Sequence, residues 1–246
     1  MGTAVFDDPP VLCGHRGSGR GVVGGHRENT LPSFLAAAEA GIRWVEADAR
    51  INADDVLVAR HDPAAEDGRL VSQLGTGDTD ALGLMRVADL LDELPVRVGI
   101  NVEIKTSLED ALRPRERTTA ALVADLVARA PRRPLLLSSF DPAAIPIVQE
   151  RLPGVPTGLL TWARYPLRKA IPAALHLGAD VVAPNVASFL AAPDPRDPAE
   201  LVRVAHEAGL EVVSWCPKPD EAGRLVEFGV DCVIVDDVLD AKLAAT

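Results

Sequence analysis

Short apolar runs alternate with longer Ala- and Leu-rich amphipathic stretches along almost the whole chain. The runs at 11–13, 43–48, 56–60, 99–104, 135–138, 158–161, 180–183, 210–215 and 232–235 predict strands. The stretches at 31–40, 87–93, 143–151, 166–177, 199–208 and 221–228 predict helices. Gly-Ala-Asp at 178–180 and Gly-Val-Asp at 229–231 each end a helix just before a strand, where a glycine readily takes the positive φ of a helix stop. Apolar strands separated by helices imply a parallel sheet with helices outside it. About eight such strands fit a closed (β/α)8 barrel of the TIM type better than an open doubly wound sheet.

Two stretches break the alternation. Residues 14–25 contain six glycines with Arg16 and Arg20, too much glycine for a regular element. Residues 63–80 are polar without a period and predict a small insertion after the third β-segment. No linker divides the chain, so 1–246 is expected to form a single domain.

Composition narrows the classes of partner. Of 246 residues 48% are hydrophobic, enough for the core of a barrel. The formal net charge of −11 repels nucleic acid and anionic lipid, so neither is an expected partner. No apolar run approaches the roughly 18 residues of a membrane span. Cys13, Cys216 and Cys232 are odd in number and lack metal-type spacing, which predicts buried apolar residues of a reducing compartment. Residues 1–10 carry Asp7 and Asp8 without an apolar run and do not resemble a signal peptide, so a cytoplasmic location is expected.

Candidate chemistry collects at strand ends, where a barrel builds its site. His15 and Arg16 follow the first strand, and His61 and Asp62 follow the third β-segment. Glu46 and Asp48 sit two apart on one strand, as do Glu103 and Lys105 on another, and alternate strand residues share a face. Three carboxylates gathered in a barrel mouth need a cation, a proton or basic partners. An all-oxygen set suits one hard divalent cation, Mg2+ or Ca2+, and accepts Mn2+. His15 and His61 are suited to general acid and base, and Arg16 and Lys105 to holding phosphate oxygens. Together they make a phosphodiesterase set. Each has a plainer reading alone: a capping histidine, edge-strand carboxylates, or an exposed ion pair of little energetic weight. Compatible chemistry at four separate strand ends is what favours a site. His26, His176 and His206 lack such a context and are expected to be ordinary surface or helix residues.

Gly14-His15-Arg16-Gly17, Glu28-Asn29-Thr30, Glu46-x-Asp48, His61-Asp62 and Asn101-x-Glu103-Ile104-Lys105 occur in that order. In this order and spacing they resemble the glycerophosphodiester phosphodiesterase family, and a weaker likeness continues through Ser138-Ser139-Phe140 and Trp215 to Asp236. The resemblance implies a TIM-type barrel with Glu46, Asp48 and Glu103 as metal ligands and His15 and His61 as the acid/base pair. It also implies phosphate contacts from Arg16 and Lys105, a pocket wall from Trp215 and a supporting role for Glu28, with Asn29 or Thr30 capping the next helix. The implied reaction is hydrolysis of a small glycerophosphodiester to an alcohol and glycerol 3-phosphate. The implied route is attack by the neighbouring glycerol hydroxyl and opening of a cyclic phosphate by water, with the two histidines interchangeable at this stage. The family's Trp-Thr-Val-Asn is here Trp215-Cys216-Pro217-Lys218, which places alcohol selection in that segment. Two alternatives stand beside this reading: a phospholipase-D-like lyase that stops at the cyclic phosphate, and a non-catalytic barrel that binds metal or phosphate.

Overall fold

Eight parallel strands form the framework: β1 Val11–Gly14, β2 Trp44–Ile51, β3 Gly99–Ile104, β4 Leu135–Ser139, β5 Thr157–Thr161, β6 Val181–Pro184, β7 Glu211–Trp215 and β8 Cys232–Val235. The computed structural model describes residues 4–191 and 194–241. Each strand pairs with the next, and β8 pairs back onto β1, so the sheet closes as expected for the (β/α)8 architecture.

The period of two decides which side chains enter the barrel. Val45, Ala47 and Ala49 of β2 pack outward in one cluster with Phe34, Leu90 and Leu91 of the helices Leu31–Glu39 and Val87–Glu93. Ile100, Val102 and Ile104 of β3 join the same cluster. Their alternates, Glu46, Asp48, Asn101 and Glu103, therefore face the lumen. Its lower part is apolar, filled by Val11, Cys13, Leu136, Val181, Val213, Cys232 and Ile234. Apolar layers below and carboxylates above put the chemistry at the C-terminal mouth.

Three expectations are corrected here. The third β-segment is a short strand, Leu57–Ala59, that pairs antiparallel with β2 and lies outside the ring. The glycine-rich stretch holds a small antiparallel ladder, Val22–Val23 with His26–Arg27, because Gly24 and Gly25 take the positive φ of a tight turn. A helix at Thr119–Val127, between β3 and β4, was not anticipated from the apolar pattern. Its start is set by Thr118, whose side chain accepts the Ala121 N–H at 3.4 Å. His206 is an exposed helix residue, as expected, and its Nε2 lies 2.9 Å from Asp231 Oδ2. The inserted stretch after the third β-segment is present, and it contains a six-residue helix, Thr76–Ala81. Among the described residues no helix is long and apolar enough to cross a membrane. The reading of 1–10 includes 1–3, which lie outside the described residues.

Val5 and Phe6, ahead of β1, cover the N-terminal end of the barrel. Val5 and Phe6 donate their backbone N–H groups to Glu211 at the start of β7, at 2.5 and 3.1 Å. Phe6 is 2% exposed and meets Trp44, at the start of β2, edge to face at 4.9 Å between ring centroids. Truncating a buried aromatic removes its transfer energy and leaves a cavity. Phe6→Ala is therefore expected to lower unfolding free energy by about 3 kcal/mol in urea titration. Unchanged stability would mean that this segment does not plug the barrel.

Candidate active site

A cavity of about 520 Å³ opens at the C-terminal mouth. Glu46 and Glu103 line it, 2% and 6% exposed, and Asp48 lies beside them fully buried. The register sets Asp48 directly opposite Glu103 across the β2–β3 pairing. One oxygen from each of the three lies within 4.8 Å of the others. Glu46 Oε1, Asp48 Oδ1 and Glu103 Oε1 are buried and accept no hydrogen bond. Lys105 Nζ lies 3.0 Å from Asp48 Oδ1 and also contacts Glu103 Oε1, as a charge partner rather than an aligned donor. Oxygens of three carboxylates converge here around one ammonium group, a donor set that could hold a hard cation.

The electrostatics follow from burial. Burial pushes Glu46 well above the usual carboxylate range, with Asp48 and Glu103 adding to it. Burial also pushes Glu103 up to about 7, against the pull of Lys105. For Asp48 burial opposes ionisation, but Lys105 and Arg16 outweigh it and hold the group below its ordinary value. Unaided, the cluster thus keeps one carboxylate ionised and favours protons on the other two.

Loops after β1 brace the cluster. The Arg16 backbone N–H donates to Glu46 Oε2 at 3.0 Å, and its guanidinium lies 3.4 Å from Asp48 and 2.8 Å from Glu28. Asn29 does not cap the following helix, nor does the side chain of Thr30. Instead Asn29 Nδ2 donates to Asp48 Oδ2 at 2.7 Å, and the Asp48 N–H returns to Asn29 Oδ1 at 3.3 Å. Both Arg16 and Asn29 adopt the left-handed region, at φ 55° and 54°. Such strain persists where the surroundings over-determine a conformation, as these contacts do.

Each candidate histidine is tied to an aspartate. His15 Nδ1 is 2.5 Å from Asp236 Oδ1, which leaves Nε2 turned to Glu46 Oε2 at 3.8 Å. His61 Nδ1 is 2.8 Å from Asp62 Oδ1, and burial lowers its pKa below the ordinary imidazole value. Both rings line the cavity. Another part of its lining is aromatic: Phe140 stacks on Trp162 at 4.3 Å and meets Trp215 edge to face at 5.7 Å.

Of the site residues expected from the sequence, His15, Arg16, Glu46, His61, Glu103, Lys105 and Trp215 line this cavity, while Asp48 and Glu28 contact that lining and Asn29 contacts Asp48. Lys218 is exposed and borders a separate small cavity of about 90 Å³ with Pro217, so only Trp215 and Cys216 of that segment reach the main one. Cys216 is not a buried apolar residue: its Sγ lies 3.6 Å from His15 Nδ1 and 3.4 Å from Asp236 Oδ1. Sequence reasoning passed over Arg50, which also lines the cavity and donates through Nε and Nη2 to the His61 carbonyl at 2.9 and 2.6 Å. Its signal was available, because Glu46, Asp48 and Arg50 continue the same alternate register. Trp162, 68% exposed, carried no comparable signal.

Known proteins share this fold. Residues 15–240 match the model of the glycerophosphoryl diester phosphodiesterase family. A Mycobacterium tuberculosis protein named "Probable glycerophosphodiester phosphodiesterase 2" is 28% identical over 240 residues, covering 87% of this chain and 86% of its own. The glycerophosphodiester phosphodiesterase of Thermotoga maritima superposes with a TM-score of 0.71 at 22% identity, covering 95% of this chain and 97% of its own. An Oleispira antarctica phosphodiesterase, solved in complex with the product sn-glycerol-3-phosphate, gives a TM-score of 0.74 at 22% identity over 92% and 93% of the two chains. The structural likenesses establish the common barrel, and the family match over nearly the whole chain establishes more: this protein belongs to the glycerophosphoryl diester phosphodiesterase family.

Proposed function

We propose that this protein hydrolyses small glycerophosphodiesters to an alcohol and glycerol 3-phosphate, with one divalent cation held by Glu46, Asp48 and Glu103. The observation that carries the reading is the convergence of three buried carboxylates, whose free oxygens accept no hydrogen bond, with two aspartate-bound histidines at one cavity. Mg2+, Ca2+ and Mn2+ all accept such oxygen ligands, and a bound ion would offset charge on the phosphate as a Lewis acid. The family match and the product complex of the Oleispira phosphodiesterase support the substrate class. Free cysteines among the described residues support a reducing, cytoplasmic setting, and one barrel domain accounts for the described chain.

The chain's own groups divide the chemistry. Arg16 and Lys105 hold the non-bridging phosphate oxygens, while Glu28 keeps Arg16 in place. Asp236 and Asp62 each accept a proton donor at Nδ1 of their histidine, which presents Nε2 to the reacting groups. One Nε2 takes the proton of the glycerol hydroxyl next to the phosphate as that oxygen bonds to phosphorus. The other gives a proton to the alcohol oxygen as its bond to phosphorus breaks. Water then opens the cyclic phosphate with the two roles reversed. The lowered pKa of His61 keeps it neutral near pH 7 and suits it to take the first proton. Phe140, Trp162 and Trp215 offer the carbon-bearing part of the ester an apolar wall.

The deciding experiment measures glycerol 3-phosphate released from a panel of glycerophosphodiesters after EDTA treatment, with and without added Mg2+, Ca2+ or Mn2+. Metal-restored release is expected. Accumulation of cyclic phosphate would instead mean a lyase, and silence across the panel a binding barrel.

Replacing either His15 or His61 by Gln is expected to lower kcat about 10²–10⁴-fold, with KM changed far less. Loss confined to KM would remove both from proton transfer. Asp62 stabilises the charged form of His61, so Asp62→Asn should shift the acid limb of the rate profile to lower pH. A limb that stays in place would separate His61 from the base role.

The carboxylates also set a pH dependence of stability. Folding raises Glu103 from 4.5 to about 7, and it raises Glu46 in the same direction. A carboxylate with a raised folded pKa contributes stability that is complete below its unfolded pKa and is lost as pH rises through the folded one. The EDTA-treated protein should therefore melt at a lower temperature near about pH 8 than near about pH 6, and Mg2+ should close most of that gap by binding the ionised folded form. The lowered Asp48 acts only at more acidic pH, outside this window. Equal Tm values at both pH values without metal would contradict the description of the cluster.

A further inference from the structure

His15, Cys216 and Asp236 are each the first residue beyond one of three adjacent strands, β1, β7 and β8. Backbone bonds hold two of these positions: the His15 N–H donates to the Val235 carbonyl at 3.0 Å and the Cys216 N–H to the Ile234 carbonyl at 2.9 Å. Cys216 is fixed in the left-handed region at φ 55°. The three side chains meet as imidazole, thiol and carboxylate, with Nδ1, Sγ and Oδ1 all within 4.8 Å of one another.

We propose that Cys216, His15 and Asp236 form a second cation site, specific for a thiophilic divalent ion such as Zn2+ or Cd2+, on the far side of His15 from the carboxylate cluster.

The edges of the triangle fit such an ion. Tetrahedral zinc with sulfur at about 2.3 Å and nitrogen or oxygen near 2.1 Å places these ligand atoms about 3.5 Å apart. Sγ lies 3.6 Å from Nδ1 and 3.4 Å from Oδ1. Only the His15–Asp236 edge, 2.5 Å as a direct hydrogen bond, has to open. Ligand softness separates the two sites: a nitrogen–sulfur–oxygen set selects zinc-like ions, whereas Mg2+ and Ca2+ prefer the all-oxygen cluster. Access exists from two sides. His15 and Cys216 line the main cavity, and Asp236 lines the neighbouring small one beside Asp237 and Asp240.

Occupation has a definite consequence for protons. Burial first, then the Asp236 charge, keeps the Cys216 thiol protonated, so it donates to Asp236 rather than acting as a nucleophile. A thiophilic ion displaces that proton to solvent, as coordination does to thiols. The ion also takes Nδ1 of His15, which leaves the ring's remaining proton on Nε2, the nitrogen facing Glu46. His15 can then neither accept a proton at Nε2 nor lean on Asp236. The site is inhibitory toward the proposed hydrolysis, and that consequence rests on the reading above; ion binding itself does not.

The test is a Cd2+ titration of the full chain in saturating Mg2+, followed in parallel by near-ultraviolet thiolate-to-cadmium absorption and by activity. The wild type should show a one-to-one absorption change and inhibition with the same midpoint. Cys216→Ser should lose the absorption and raise the inhibitory midpoint by more than about tenfold, given that even indirect losses at metal sites cost about 10–100-fold in affinity. Cys13 and Cys232 remain in that variant as buried controls. If the variant does not fold, cadmium-113 NMR of the wild type decides, since sulfur-bound and all-oxygen cadmium resonate in separate ranges. Absorption that persists in Cys216→Ser, or wild-type inhibition without any thiolate signal, would overturn the proposal. Thiolate binding in a chain that releases no glycerol 3-phosphate would keep the site and sink the hydrolase reading instead.

Discussion

Three carboxylates share a buried volume from which the backbone does not let them withdraw. Unit charges 4.8 Å apart repel by about 3.5 kcal/mol per pair at an effective dielectric near 20. Glu46 and Asp48 are locked to one side of β2 by the strand period, and Glu103 is locked beside Asp48 by the β2–β3 register. The repulsion can be relieved only by protons, by fixed cations or by an ion. Arg16 and Lys105 relieve enough of it to keep Asp48 ionised, while Glu46 and Glu103 are left with raised affinities for protons. The divalent cation proposed above would take the place of those protons.

Much of the surrounding structure serves that imbalance. Asn29 holds Asp48 from two directions, Glu28 holds Arg16, and the Arg16 backbone holds Glu46. Non-glycine residues in the left-handed region recur here, at Arg16, Asn29 and Cys216. Gly17, at φ 102°, lets this loop lie against the following helix, because a Cβ there would come within 2.5 Å of Ser33 Oγ. The apolar lower barrel and the Phe6 plug close the other end, so water reaches the carboxylates through the mouth where the histidines stand.

The period of two made the lumenal set readable in advance: Glu46 with Asp48, and Glu103 with its neighbours. Parallel strands buried on both faces were readable because they are almost uninterruptedly apolar. The antiparallel excursion Leu57–Ala59 was not, since an apolar triplet carries no mark of direction or of place in a ring. Asn29 read as a cap because Asx residues usually cap, and only the tertiary fold offered Asp48 as a better partner. The pairing of His15 with Asp236 joins residues 221 positions apart, which no local pattern encodes. Cys216 owes its meaning to the same closure of β8 onto β1.

The most direct test is ion binding itself, measured by Mn2+ electron paramagnetic resonance on EDTA-stripped protein. One tightly bound Mn2+ per chain is expected, displaced by Mg2+ or Ca2+, and nearly lost in Glu46→Gln while the barrel's circular dichroism is retained. Undiminished Mn2+ binding in that variant, or none in the wild type, would contradict the central claim that these carboxylates exist to hold a metal.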